Sequence, residues 1–300
     1  MHNNKAFPIP LWFILMIGII AISFSSIFIR WSEAPVSIIA MYRLYITNLL
    51  MLPFIMKYWH ELKKLSSKDW FFLSLSGLFL GLHFLFWMGS LRFTSVANST
   101  AIVALEPIFV LIGSFLFFKQ RTNFLAITGI IIAVLGAILI GWGDFGLSTK
   151  AVLGDMLALL GAITVAIHIL IGKRLLRKMS NYVYSFFVFL TSAMLLNLYN
   201  IVQGYSFIKY SSMEWGIFIL MAIIPTVFGH LLFNWLLKYM NATTVSMSIL
   251  GEPLGAAILA YFLLNEHISF HQAIAGFILL LGVWIFIKFN QKQLDTKTHS

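Results

Sequence analysis

No cysteine occurs in the 300 residues, so disulfides and thiolate-bound metals are excluded from the start. Charge is also scarce. Only 10% of the residues are Asp, Glu, Lys or Arg, against roughly 25% in an ordinary soluble domain. No glycine-rich phosphate loop is present, which argues against direct drive by ATP. Histidines that fall inside apolar runs (His83, His168 and His230) have neither a second histidine nor a carboxylate three or four positions on, so metal spacing is missing. There is no recognisable intramembrane-protease serine motif either, and the chain reads as a non-enzyme without cofactor or metal.

What the chain has instead is hydrophobicity. Sixty per cent of its residues are apolar and the mean hydropathy is +0.93. The few charges separate ten apolar runs, approximately 10–29, 35–56, 70–91, 94–118, 124–143, 152–172, 181–202, 214–236, 243–264 and 270–288. Each has about the 20 residues that a helix needs to cross roughly 30 Å of hydrocarbon. The expected fold class is an all-α integral membrane protein with ten transmembrane helices. Run 1 is expected to be retained as a span, because its core is long, it lacks a small-x-small cleavage site and nine more runs follow.

The net charge of +10 has a location. Numbering the gaps alternately, one side receives 15 basic residues and the other only Arg30, Arg92, Lys150 and Lys209, while Arg43 lies within a span. That asymmetry is the positive-inside pattern, which predicts cytoplasmic N- and C-termini in a plasma (inner) membrane. It contains no aromatic-basic pattern for nucleic acid.

Sliding the chain by 146 residues superposes Glu106-Pro107 on Glu252-Pro253, Leu91-Arg92-Phe93 on Leu237-Lys238-Tyr239, Phe124 on Phe270, and Leu135-Gly136 on Leu281-Gly282. The chain therefore reads as two five-helix repeats, 1–146 and 147–300. Five is odd, so the second repeat is inverted in the membrane. Inverted repeats are an architecture of secondary transporters, with the substrate site near the midplane where helices are interrupted. Each Glu-Pro falls about 11 residues into its run, roughly 16 Å deep at 1.5 Å per residue.

The polar groups at that depth are the candidate site. An acidic residue at a helix centre costs about 2.5–3.5 kcal/mol on insertion and is a functional candidate by default. Glu106 and Glu252 are expected to contact substrate or carry a coupling proton, the alternative being a carboxyl that fixes neighbouring helices. Pro107 and Pro253 each remove a backbone donor and crowd the carbonyls of Val103 and Ile249. They are expected to act as hinges, or as static kinks. His83 with Trp87, and His230 with Asn234, form stripes four residues apart on runs 3 and 8, and are expected to contact substrate, the alternative being histidines that hydrogen-bond between helices. His83 and His230 are nearly repeat-equivalent, one position off register. Arg43 lies at the depth of Glu106, which predicts a structural ion pair between runs 2 and 4 that would leave Glu252 the freer carboxylate. Gly129, Ala133, Ala137 and Gly141 form a small-residue column on run 5, as Gly77 and Gly81 do on run 3. Such columns allow close helix approach. Run 5 and its repeat mate, run 10, read as peripheral scaffold helices or a homodimer face.

These residues, with "FIRWSEAPVSIIAMYR" near the start and "FNWLLKYMNATTVSMSILGEPLGAAILAYFLLNEHISFHQAIAGFILLLGV" near the end, resemble the drug/metabolite transporter superfamily in its ten-span EamA branch. The resemblance covers nearly the whole chain. The family's glutamate after the second Glu-Pro helix is present as Glu266, whereas the first repeat has Gln120. The resemblance implies a carrier working by alternating access, with a central cavity among spans 1, 3, 4, 6, 8 and 9 and with spans 5 and 10 outside. It implies a small-molecule substrate, but family members carry amino acids, nucleosides, vitamins, nucleotide-sugar-like compounds and toxic cations, and fold does not choose among them. The expected function is a secondary transporter, taken as an exporter, of an amino acid-like or drug-like metabolite. The alternative is a receptor or scaffold that reuses the fold without transporting. Such a protein has little need of polar groups at half depth, and the chain has no extended soluble loop.

Overall fold

A computed structural model describes residues 10–141, 148–265 and 270–298. Among these residues the chain is all helix and turn, with no strand. Nine helical runs are long and apolar enough to cross a membrane, and a tenth apolar helix, Phe124–Leu139, is shorter. The protein is a multi-pass membrane protein.

In chain order the helices are α1 Leu11–Trp31, α2 Val36–Ile55, a short α3 Trp59–Leu62, and α4 Ser67–Ser90. Next come α5 Val96–Val103, α6 Glu106–Phe118, α7 Phe124–Gly141, α8 Thr149–Leu175 and α9 Asn181–Val202. Then α10 Ser212–Met221 runs through a π-helical segment, Ala222–Leu231, into α11 Leu232–Tyr239. The last are α12 Ala242–Ile249, α13 Gly251–Leu264 and α14 Phe270–Thr298. Serine hydroxyls cap several helix starts by accepting from backbone N–H groups: Ser66 for α4, Ser95 for α5, Ser148 for α8, Ser180 for α9 and Ser211 for α10. These caps satisfy donors that a helix end leaves open.

The principal helix contacts survive exchange of the two halves. The α1 helix packs on the π segment as α8 packs on α4, and α1 meets α13 as α8 meets α6. The α2–α9 and α7–α14 pairs map onto themselves. Both Glu-Pro helices end in the left-handed region, at Lys119 (φ 54°) and Asn265 (φ 55°), two positions that the 146-residue shift superposes.

One difference between the halves lies in the π segment. Upstream of it, the capping residues Ser66 and Asp69 match Ser211 and Glu214 at a shift of 145. Downstream, Leu91 matches Leu237 at a shift of 146. The second half thus holds one extra residue, and the π segment absorbs it. Widened π turns commonly accommodate such a local adjustment near functional sites. His230 stands 147 residues after His83, outside both registers, so the extra residue does not bring the two histidines into line.

Lipid tails are as apolar as leucine, so close backbone packing takes over much of the role that hydrophobic burial plays in water. The α7–α14 pair shows this best. A Cβ on Gly136 would lie 2.4 Å from the Leu279 nitrogen, and one on Gly282 would lie 2.2 Å from the Ala133 nitrogen. The small-residue column of α7 is therefore occupied by α14 of the same chain. Its buried residues form an apolar cluster apart from the main core, with Ala104, Met247 and Leu250 at its inner edge. Gly77 of α4 serves a like contact, with Val188 O of α9 2.8 Å from its would-be Cβ.

Candidate functional site

Each Glu-Pro pair stands where its span breaks. Around Ala104 and Leu105 the ladder tightens: Leu105 N donates to Ile102 O and Ile108 N to Leu105 O, both at 3.0 Å. Glu106 opens α6 with Pro107 in its first turn, and Glu252-Pro253 occupies the first turn of α13 after the break at Leu250. Proline suits a first turn, where no intrahelical donor is needed. The crowding expected at Val103 and Ile249 is thus relieved by ending one helix and starting another. The α6 helix packs against α12 and α13 against α5, so the two breaks lie together.

Beside this crossing is a narrow cavity of about 40 Å³. It is bordered by Glu106, Glu252, His83, Trp87, His230 and Asn234, the six residues singled out from sequence as substrate contacts. A smaller void of about 10 Å³ lies between the breaks themselves, bordered by both carboxylates, both prolines and Ser246.

The two carboxylates differ. Glu106 is 2% exposed and accepts a hydrogen bond from Ser246 Oγ at 2.7 Å, a link from α12 to α6. Glu252 is half-buried and makes no side-chain hydrogen bond among the described residues. On α4, His83 Nδ1 bonds the Gly161 carbonyl at 2.9 Å, and its ring stacks on Trp87 at a centroid distance of 5.8 Å. The indole is buried at the cavity wall, and its Nε1–H has no protein acceptor among the described residues. His230 lies 6.4 Å from His83, ring to ring, and stands edge-on to Phe84 at 5.1 Å. Asn234 Nδ2 donates to Ser185 Oγ at 3.2 Å.

The expected Arg43–Glu106 ion pair is not formed. Arg43 is fully buried; its Nε donates to Thr226 Oγ1 at 2.9 Å and its Nη1 to Ser25 Oγ at 3.4 Å. The guanidinium carbon lies 4.4 Å from the centroid of Phe84. Equal depth was a poor guide because α2 packs on α4, α9, α10 and the π segment, while α6 packs on α8 and α12. Arg43 serves instead to tie α2 to α1 and to the π segment. Its Nη2 has no hydrogen-bond partner.

Three more side chains were not assigned to the site from sequence: Ser25 and His168 at the cavity, and, at the smaller void, the Ser246 that holds Glu106. His168 turns Nδ1 toward Ser76 Oγ at 2.9 Å, and Ser76 Oγ lies 2.7 Å from the Tyr184 hydroxyl. Their signal was a polar residue in an apolar run, weak for serine because serine is common in such runs. Glu266 lies outside the described residues, and Gln120 is half-buried just after the left-handed cap of α6.

The face that receives few cations is laced across several helices. Arg30 donates to Thr94 O at 3.0 Å, and Arg92 to Ser32 O at 3.0 Å and Ala34 O at 2.9 Å. Asn98 Nδ2 donates to Asp155 Oδ1 at 2.6 Å, while Glu214 accepts from Ser32 Oγ and from the Glu33 N–H. On the opposite face, Lys178 pairs with Asp69 at 3.1 Å, and Lys173 Nζ caps the end of α11 by donating to Leu237 O and Met240 O.

Residues 10–142 and 152–288 match the model of the EamA-like transporter family. An uncharacterized transporter of Archaeoglobus fulgidus is 25% identical over 82% of this chain and 86% of its own. One from Synechocystis sp. is 28% identical over 80% of this chain and 72% of its own. The uncharacterized transporter YdfC of Bacillus subtilis is 25% identical over 99% of this chain and 97% of its own. A solved crystal structure shares the fold with a TM-score of 0.77 at 16% identity, covering 94% of this chain and 98% of that one.

Proposed function

The chain belongs to the EamA-like transporter family, a multi-pass transporter of the cell membrane and not an enzyme, and from that premise we propose that it exports a small amino acid-like or drug-like metabolite by alternating access. The two units, 1–146 and 147–300, lie inverted in the bilayer with both termini cytoplasmic. They rock about the helix breaks at Pro107 and Pro253. In the state described here the face poor in cations is closed by the Arg30, Arg92 and Asn98 bonds. Those bonds release when the cavity opens to that side.

The observation that carries this reading is a pair of groups at the cavity: among the described residues Trp87 Nε1–H has no protein acceptor and Glu252 makes no side-chain hydrogen bond. A scaffold gains nothing from an unpaired buried donor, which costs about 1–3 kcal/mol. A substrate with a cationic end and an acceptor end answers both. Glu252 takes the cation, the indole donates to the acceptor, and His83, His230 and Asn234 complete the wall. On the return step the same Glu252 takes a proton, which would couple export to the proton gradient. Glu106, already held by Ser246, positions the α6–α12 crossing.

The test compares metabolites retained and released by cells that lack the protein, express it, or express Glu252→Gln. The proposal expects at least one cationic or zwitterionic compound to leave faster with the parent, and the variant to match cells lacking the protein. If parent and variant release the same compounds as cells without either, a non-transporting role replaces this one.

A further inference from the structure

A larger opening lies away from the central cavity, between α4, α6 and α8. Its volume is about 600 Å³, within the roughly 300–1,000 Å³ of an ordinary small-molecule pocket. Its walls are Phe72 and Leu75 from α4, Phe117 and Phe118 from α6, and Ile167 and Ile171 from α8. Phe117 is 75% exposed at its edge. None of the six can bond a polar substrate.

One end of this apolar groove is different. Arg174 and Arg177 line it there. Arg174 stands in the last turn of α8 and Arg177 in the turn that follows it, both exposed. Each guanidinium lies over an aromatic ring of the groove, Arg174 at 4.6 Å from the centroid of Phe72 and Arg177 at 5.5 Å from that of Phe118. Neither arginine has a hydrogen-bond acceptor or an acidic partner among the described residues. The nearby Lys178, by contrast, is matched with Asp69. Two guanidinium groups placed over rings and without acidic partners can still donate to a planar or tetrahedral oxyanion, which arginine binds in a fork.

An apolar channel that ends in two unclaimed arginines has the polarity of one anionic amphiphile. We propose that this groove is a binding site for an anionic phospholipid, its acyl chain against Phe72, Leu75, Ile167 and Ile171 and its phosphate between Arg174 and Arg177. Basic pockets between membrane helices recognise acidic headgroups in this way. The site is separate from the substrate cavity, and Leu170 of α8 forms part of its floor on the α6 side, where a Cβ on Gly113 would meet it at 2.1 Å. Because α8 also carries His168 at the central cavity, a lipid seated here bears on a helix that transport uses.

The test uses the purified full-length chain in detergent, with phosphatidylglycerol and phosphatidylcholine of identical acyl chains. Bound lipid is counted by native mass spectrometry as each is titrated. The parent should retain phosphatidylglycerol in preference to phosphatidylcholine. Arg174→Gln with Arg177→Gln should weaken phosphatidylglycerol by roughly 30-fold, about fivefold for each cation lost, and leave phosphatidylcholine unchanged. Arg174→Lys with Arg177→Lys should keep most of the preference, and serves as the check that the glutamine pair still folds. Equal retention of both lipids by the parent overturns the proposal, as does a preference that survives the glutamine pair. Loss of export in the glutamine pair with its lipid preference intact would assign the groove to an amphipathic substrate instead, and so also overturns it.

Discussion

Replacing Ser246 by alanine removes the hydroxyl that holds Glu106. Both groups are buried, at 0% and 2% exposure, and their bond of 2.7 Å joins α12 to α6 across the helix breaks. Leaving a buried acceptor without its donor costs about 1–3 kcal/mol. If the link exists only in the state described here, that cost falls on one side of the conformational equilibrium and moves it by about 5- to 150-fold. The chain has no cysteine, so Ile249→Cys at the cavity wall supplies a single thiol. Its labelling by a membrane-impermeant maleimide is measured from each side, in whole cells and in inverted vesicles. The ratio of the two rates should change at least fivefold in Ser246→Ala and return toward the parent value in Ser246→Thr, which restores a hydroxyl. An unchanged ratio together with a lowered Tm would mean that the link persists in every state, and the argument that the crossing moves would fail.

Three further outcomes follow from the geometry. A double-mutant cycle of Arg43→Gln and Glu106→Gln, read by thermal unfolding, should give a coupling below about 0.5 kcal/mol, as for sites that share no partner; a coupling of several kcal/mol would restore the ion pair. Gly282→Ala should destabilise by about 1–3 kcal/mol through overpacking, since its Cβ would meet the Ala133 backbone at 2.2 Å, while Gly89→Ala, with its nearest neighbour at 3.9 Å, should be neutral in the same melt. Arg92→Gln removes two bonds on the face poor in cations; if they close that face as proposed, the thiol of Ile249→Cys should label faster from it and no faster from the other.

Much of this arrangement was legible in the amino-acid order because membrane burial makes polar residues conspicuous. Glu106 and Glu252 stand out from their runs, and the matching prolines announced the two helix breaks. The stripes of His83 with Trp87 and of His230 with Asn234 followed from helical spacing, and all four residues meet at the cavity. What stayed hidden depended on which helices are neighbours. Arg43 and Glu106 share a depth but not a helix interface, so the pair expected between them gave way to Thr226 and Ser25. Ser246 was missed for the same reason, since its role exists only because α12 crosses α6. The π segment had a faint signal, Pro225 inside an apolar run, but a one-residue surplus is visible only when both flanks of a repeat are aligned separately.

That surplus residue has a consequence for how the protein behaves as a machine. In a carrier whose halves were perfect copies, swapping their conformations would turn one end state into the other, and the two would be equal in free energy. Here the swap would have to impose on α4 a widened turn that it has no residue to fill. Under the alternating access proposed above, the two end states would be inequivalent by construction, and the empty carrier would rest preferentially on one side of the membrane even before any gradient acted on it.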